Sequence, residues 1–402
     1  MSHINQEEVW KKLNTTAPHI KRIILHVHRN PSTGVWAMMK NLTREQSKEP
    51  GVISIMGVMA DRDWMASGYM NELRQWDMPC LFARVPKMFG TGAYLYCMAS
   101  NPLREWMRRL QVIFKNAEVI IHSHMAWMTG GVFPVPQRQN SVFVTTLHGI
   151  ADDHRLRNTW WLRWAHRFLS KRLCDSDSVL TAVSHDTTVR AEEILGIPAS
   201  RFAIVHNGMP KPDLSDLKPT PPTGQLRVGH VGQMHPGKGW QLLLTAVDSL
   251  HQRGLPLHLT LAGAGREAEL ARVAATERPE YVSYMGMVRE AGRMLIPQLD
   301  ALVLATWSEG MPMSIVEAFA AGVPVLATPV GGIPEMLTDG VNGLLIERNP
   351  ESIGKAIERL ITEKGLRERL ARGAYATFEE RFKIDAIVAR YNQVYAKALM
   401  KT

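Results

Sequence analysis

Short runs rich in β-branched and other apolar residues alternate with longer segments of helical spacing along almost the whole chain. Before residue 206 the runs are IKRIILHVHR, GVISIMGVM, MPCLFARV, AEVIIHSH, NSVFVTTLHG, DSVLTAVS and RFAIVHNG. After residue 224 they are LRVGHVGQ, LHLTLAGAG, YVSYMGMV, DALVLATW, VPVLATPV and NGLLIE. Strand and helix in alternation call for a parallel sheet, because a parallel neighbour is reached only through a crossover. Between the two series, GMPKPDLSDLKPTPPTG carries five prolines from Pro210 to Pro222, which neither a helix nor a central strand tolerates.

The chain therefore reads as α/β, with two Rossmann-like, doubly wound domains facing each other across a cleft, their ligand sites at the carboxyl ends of the strands. The expected boundaries are 1–208, a linker over 209–225, a second domain over 226–378, and a terminal helix over 379–402 that packs back on the first domain. The last segment, FEERFKIDAIVARYNQVYAKALM, has apolar positions at helical intervals and no internal Gly or Pro, which predicts one helix.

At 402 residues, 45% apolar and 21% charged, the chain is too long for a peptide module and too apolar for a disordered one. Its net charge of +9 favours anionic partners. Residues 1–205 hold 25 Lys/Arg against 17 Asp/Glu, and residues 206–402 hold 22 against 21. The first domain is thus the one expected to face an anionic surface. Cys80, Cys97 and Cys174 cannot all pair and have no ligand-like spacing, so a disulfide framework and structural zinc are not expected. MSHINQEEVWKK lacks the order of a signal peptide, and no apolar run is long enough to span a bilayer. A cytoplasmic protein is expected.

Three stretches carry chemistry. GHVGQMHPGKGW places Gly229, Gly232, Gly237 and Gly239 around Lys238, just before a helical segment. Glycines let the backbone approach a ligand, and a helix N-terminus attracts anions. LAGAGRE sets Gly263 and Gly265 at the end of the next strand, where close packing of backbone explains them equally well. In TWSEGMPMSIVEAFAAG, Glu309 lies in a loop, Gly310, Met311 and Pro312 turn the chain, and Ser314 to Ala321 suit a helix carrying Glu317.

A glutamate, seven residues and a second glutamate, preceded by a Gly-Lys-Gly loop, resemble the retaining GT-B glycosyltransferases of family 4. The resemblance implies that the second domain holds a nucleotide sugar, a UDP-sugar or GDP-sugar, and that the first binds the acceptor. It gives Glu317 the ribose hydroxyls and Glu309 the hydroxyls of the donor sugar. It turns the amides of Gly310, Met311 and Met313, around Pro312, toward sugar and diphosphate. Gly232 and Lys238 match the diphosphate site, and Gly263 and Gly265 join the donor side. Gln233 stands where the family commonly has arginine, so diphosphate stabilisation leans on Lys238 and helix dipoles.

In the first domain, the LHG of the fifth run places His148 where the family has a histidine pointing at the donor sugar. His148, Lys238 and Glu309 are thus the expected catalytic residues. Gly34, in the loop HRNPSTGVW, is similar to the family's acceptor loop, and Asn207 matches a position at the interdomain crossover and is expected on the acceptor side. His26 with His28, and His122 with His124, are i,i+2 pairs that each point to one face of a strand. Adjacent first and fourth strands would bring His28 and His124 together on the acceptor side, with too few ligands in place for a metal.

Retaining hydrolases use two carboxyls about 5 to 5.5 Å apart. Eight residues of helix rise about 12 Å, so Glu309 and Glu317 suit the two ends of one donor better. The family implies a front-face transfer, in which the leaving diphosphate oxygen helps deprotonate the acceptor hydroxyl. No protein nucleophile, cofactor or metal is predicted.

Residues 154–173, HRLRNTWWLRWAHRFLSKRL, carry Arg155, Arg157, Arg163, Arg167, Lys171 and Arg172 with Trp160, Trp161 and Trp164, and no acidic residue. Such a helix suits an anionic bilayer surface. PLREWMRRLQVIFK is a second basic candidate. The expected partners are a nucleotide-sugar donor, a lipid-linked glycan acceptor and the inner face of the cytoplasmic membrane, with no nucleic acid. Bacterial surface polysaccharide assembly is the expected setting. The alternatives are a non-catalytic relative that scaffolds other transferases, motivated by Gln233, and a soluble enzyme making a disaccharide or storage glucan.

Overall fold

The structure, a computed structural model, describes residues 6–29, 31, 33–66, 69–85, 102–124, 140–149, 179–215 and 224–400. It divides into two compact units, Met1–His206 with Ile384–Thr402, and Asn207–Lys383. The strands are β1 (Arg22–Arg29), β2 (Val52–Ala60), β3 (Cys80–Arg84), β4 (Glu118–Ser123), β5 (Ser141–Leu147), β6 (Val179–Ala182), β7 (Phe202–Ile204), β8 (Leu226–Val231), β9 (Leu257–Ala262), β10 (Val282–Tyr284), β11 (Ala301–Leu304), β12 (Val325–Ala327) and β13 (Gly343–Leu345). The helices used below are α1 (Gln6–Thr16), α2 (Thr33–Gln46), α3 (Pro102–Ile113), α4 (Trp240–Gln252), α5 (Met313–Ala320), α6 (Leu366–Arg381) and α7 (Ile384–Leu399).

The first unit holds a parallel sheet in the order β3-β2-β1-β4-β5-β6-β7. Both faces are covered, and the alternation of side chains along each strand sorts the core into two layers. Ile23, Leu25 and Val27 of β1 pack with Trp10 and Leu13 of α1 and with Leu103, Trp106 and Leu110 of α3. Ile24, with Ile120 of β4 and Val142 and Val144 of β5, packs against Met38 and Leu42 of α2 and Ile387, Tyr391 and Tyr395 of α7. Each such side chain, fully buried, favours the fold by roughly 1.5 to 3 kcal/mol.

The second unit has the parallel order β10-β9-β8-β11-β12-β13. Trp240, Leu243 and Val247 of α4 cover Val228, Leu259 and Val303, while Phe319 of α5 and Phe378 of α6 are fully buried. In each sheet the strand order reverses beside the first strand, between β1 and β4 and between β8 and β11. Loops leave in opposite directions at such a point, and the crevice between them is where open α/β sheets bind ligands.

Three expectations change. The terminal helix is two helices: α6 ends at Arg381 and α7 starts at Ile384. Phe382 leaves helical geometry at φ −121° and ψ 8°, and its ring is wholly buried. Its carbonyl accepts from the Met209 amide at 3.0 Å, beside a parallel bridge between Met209 and Lys383. A tertiary contact, not a Gly or Pro, breaks the pattern. Gly34 lies in the first turn of α2, not in a loop. Buried Trp36, Met39, Thr43 and Gln46 recur at helical spacing and carry the helix back to Thr33. The basic face of α3 is largely paired, since Arg108 and Arg109 both bond Glu105 and Arg109 lies over the Trp10 ring.

The basic segment, with Arg155, Arg157, Trp160, Trp161, Arg163, Trp164, Arg167, Lys171 and Arg172, lies outside the described residues. Among the described residues no helix is long and apolar enough to cross a membrane.

Candidate active site

In the second unit the glycine loop after β8 is held by the loop after β9. The Gly232 and Met234 amides donate to the Ala262 and Ala264 carbonyls, each at 3.0 Å. Gly263 and Gly265 have φ of +146° and +152°, and a Cβ on either would fall 1.6 Å from the Gly232 oxygen or 2.4 Å from the Met234 oxygen. Both glycines are therefore explained by loop against loop. Gln233 is exposed.

A short turn, Pro236–Lys238, then carries the chain into α4, with the His235 ring accepting from the Gly237 amide at 3.0 Å. Gly239 closes it at φ +70°, its α-carbon pressed on the Ala305 carbonyl. Across the crevice the Trp307 amide donates to the Gly237 carbonyl at 2.9 Å. These bonds fix the Lys238 loop to the loop after β11. Lys238 Nζ reaches Glu309 Oε1 at 2.6 Å, with the carboxylate side chain only 12% exposed. The Glu309 backbone rests on Gly331, at φ +58°, where a Cβ would fall 1.7 Å from the Glu309 oxygen.

Past Gly310, the turn ends in α5 with Pro312 at the N-cap and no side-chain cap. The first amides of α5, from Met313 on, keep the anion-attracting character of an uncapped helix start. Met311 and Met313 are themselves buried, and the Asn207 backbone amide donates to the Met311 thioether, so their side chains belong to the packing under the turn. Glu317, one turn on, is half-buried and packs over Gly292, whose added Cβ would sit 2.7 Å from its Cγ. Asn207, expected on the acceptor side, belongs to this unit: its Nδ2 donates to the Met311 carbonyl at 2.9 Å. It braces the turn that leads into α5.

Sequence reasoning missed Arg348, which donates to the Pro236 carbonyl at 2.9 Å and stacks 4.1 Å from the Trp307 ring centroid. Trp307 is 62% exposed. The signal was faint, since Arg348 lies 110 positions from the glycine loop in a charged surface segment.

In the first unit the histidines meet at the β1–β4 reversal, where His26 and His122 are register partners. It is His26, not His28, that bonds His124, Nδ1 to Nε2 at 2.8 Å, and His124 Nδ1 meets His148 Nε2 at 2.9 Å. His124 is buried, so it does not present itself to an acceptor. His26 Nε2 lies 2.6 Å from Gln46 Oε1. His122 lies between Tyr395 Oη at 2.7 Å and Thr146 Oγ1 at 2.6 Å. His26, His122 and His124 bring a ring nitrogen each within 4.8 Å of the others, as a metal triad would. All six of their ring nitrogens, however, are already hydrogen-bonded within the protein.

Burial pushes these imidazoles down. His26 and His28 fall to about 4, and His148 falls to about 3 through burial and then the nearby His28. His122 and His124 also fall well below the ordinary value, again through burial first and neighbouring histidines second. At neutral pH the cluster is uncharged.

Both units resemble known proteins. Residues 60–210 match the family described as Glycosyltransferase Family 4, and residues 225–363 match Glycosyl transferases group 1. The chain belongs to the family 4 glycosyltransferases. A glycosyltransferase of Methanocaldococcus jannaschii, itself uncharacterised, is 27% identical over 69% of this chain and 74% of its own. The putative teichuronic acid biosynthesis glycosyltransferase TuaC of Bacillus subtilis is 28% identical over 65% of this chain and 66% of its own. The lipopolysaccharide core biosynthesis glycosyltransferase LpsE of Rhizobium meliloti is 30% identical over 41% of this chain and 48% of its own. HepE of Anabaena, solved with UDP, shares the GT-B fold with this glycosyltransferase at a TM-score of 0.71 and 18% identity, over 94% of this chain and all of that one.

Proposed function

We propose that this glycosyltransferase moves a hexose, with retention, from a nucleoside diphosphate sugar to a lipid-linked or polysaccharide acceptor in bacterial surface polysaccharide assembly. The observation that carries the reading is the Lys238–Glu309 pair beside the uncapped start of α5. A cation, a carboxylate and free backbone amides gathered at one strand reversal suit a diphosphate on one side and a polyhydroxyl ring on the other.

On donor binding, Lys238 leaves Glu309 for the diphosphate, and the released carboxylate accepts from sugar hydroxyls. The α5 amides stabilise the charge that grows on the leaving diphosphate, and Glu317 accepts from the ribose. His148 serves the sugar as a neutral hydrogen-bond partner. The departing oxygen takes the acceptor's proton, so no side chain acts as nucleophile. The names of LpsE and TuaC support a surface-glycan setting, and the UDP bound to HepE supports a nucleotide-sugar donor. Contact with the inner membrane face falls to the basic segment, and Arg163→Glu with Arg167→Glu is expected to abolish binding to vesicles containing anionic lipid.

The test is thermal stability of the purified protein with UDP, GDP, ADP and their hexose conjugates, repeated with Glu317→Ala and Lys238→Ala. A ligand of the folded state raises stability by mass action. One base should stabilise the wild type and lose its effect in both variants. If no nucleotide shifts the folded protein, the scaffold reading prompted by Gln233 replaces this one.

A further inference from the structure

Two chains of hydrogen bonds leave one buried amide, that of Gln46. From its nitrogen, Nε2 donates to Tyr395 Oη at 3.3 Å, and the phenol in turn donates to His122 Nδ1. A neutral His122 then carries its proton on Nε2 and donates to Thr146 Oγ1. Thr146 passes a hydrogen to Thr181, and Thr181 passes its own to the Thr145 carbonyl at 3.4 Å. A carbonyl only accepts, so this chain has a fixed direction. That direction orients the Gln46 amide, with its oxygen toward His26 and the Ser54 hydroxyl, which donates to it at 3.1 Å.

The second chain follows from the first. Gln46 Oε1 accepts, so His26 holds its proton on Nε2 and offers a lone pair at Nδ1. His124 must donate into that lone pair from Nε2, which leaves its own Nδ1 as an acceptor. His148 must donate to His124 from Nε2. The remaining nitrogen of His148, Nδ1, has no partner among the described residues.

We propose that Gln46, acting through His26 and His124, locks His148 in the tautomer with its proton on Nε2, so that Nδ1 presents a lone pair to a substrate hydroxyl. Gln46, His26 and His124 are positioning residues, and only His148 touches substrate. The chain is a latch and not a proton wire, because it ends on an amide oxygen that takes no proton at neutral pH. The tautomer follows from hydrogen bonds alone; its use in sugar binding rests on the transfer reaction proposed above.

The decisive measurement is the ring-nitrogen NMR spectrum of the full-length protein with 15N-labelled histidine, His148 being assigned by its disappearance in His148→Asn. Protonated and unprotonated ring nitrogens resonate far apart. A protonated Nε2 and bare Nδ1 in one population is the expected result. A protonated Nδ1, or averaged signals, overturns the proposal; the one variant this step needs, His148→Asn, serves only to assign the signal, with its fold checked by circular dichroism. Gln46→Leu and His124→Leu should then mix the tautomers of His148, whereas His124→Asn, whose amide oxygen can replace Nδ1, should restore the original one. A single unchanged tautomer in both leucine variants would show that something else holds it.

With donor and acceptor present, each leucine variant should lose about five- to tenfold in kcat, the rate equivalent of one hydrogen bond, with the nucleotide KM within about twofold. If the tautomer is found as expected but no donor is ever turned over, the transfer reaction fails and the latch stands.

Discussion

Lys238 and Glu309, 71 residues apart, form a partly buried ion pair at 2.6 Å, held by glycines that allow their loops to touch. On the proposed function such a pair exchanges on donor binding, since a diphosphate offers the lysine more charge than a carboxylate does. Lys238→Ala should lower kcat/KM by about 100-fold, roughly 2.7 kcal/mol, with the KM for the donor rising as nucleotide binding weakens. Steady-state kinetics with the donor found by thermal shift would check this, and Glu309→Gln should act mainly through the sugar, leaving affinity for the free nucleotide within about twofold.

Glu317 rests against the bare α-carbon of Gly292, where an added methyl would approach its Cγ to 2.7 Å. Gly292→Ala should therefore push the carboxylate out of place without removing it. Nucleoside diphosphate affinity, measured by calorimetry, is expected to weaken by about tenfold, near 1.4 kcal/mol, while the second unit keeps its fold.

Gly239 combines a φ of +70° with a Cβ position 2.0 Å from the Ala305 oxygen. Gly239→Ala carries both strain and collision, so denaturant unfolding should show a loss of about 2 to 4 kcal/mol. Gly254, at φ +78° with open space around its Cβ, is the control, and its alanine variant should lose about 1 kcal/mol from strain alone.

Acid should weaken the first unit through its histidines. His26 and His28 have folded-state values near 4, against about 6.5 in the unfolded chain. Below pH 6.5 the unfolded state takes up protons that the folded state refuses, so stability falls as the pH drops toward 4 and is flat above 6.5. Each of these two histidines contributes a slope of about 1.4 kcal/mol per pH unit in that window. Thermal unfolding followed from about pH 7.5 down to pH 5 should show the decline, and a flat profile would contradict the burial.

The thirteen strands among the described residues were legible because a buried parallel strand needs an apolar run and little else. The meeting of Lys238 with Glu309 beside α5 was legible for a different reason: glycines at fixed offsets from Lys238, and the spacing of Glu309 and Glu317, are local features. Gln46 and Tyr395 were not. One is a polar residue on a helix and the other an aromatic 349 positions away, and nothing local marks either as a partner of histidines. The break at Phe382 was hidden likewise, because the contact that ends α6 comes from Met209. The bond from Asn207 to Met311 was hidden too, since a crossover position belongs to either unit until the chain is folded.

The first unit is assembled from two distant stretches, with α7 returning to cover the face of β1, β4 and β5. On the ribosome, residues 207–383 are complete before α7 emerges, so the second unit can close while the first still shows its polar stripe to water. His122 gains its phenol only when Tyr395 has been made. The order of synthesis thus makes the last helix the step that finishes the first unit, and until then the exposed sheet face is one for chaperones to guard.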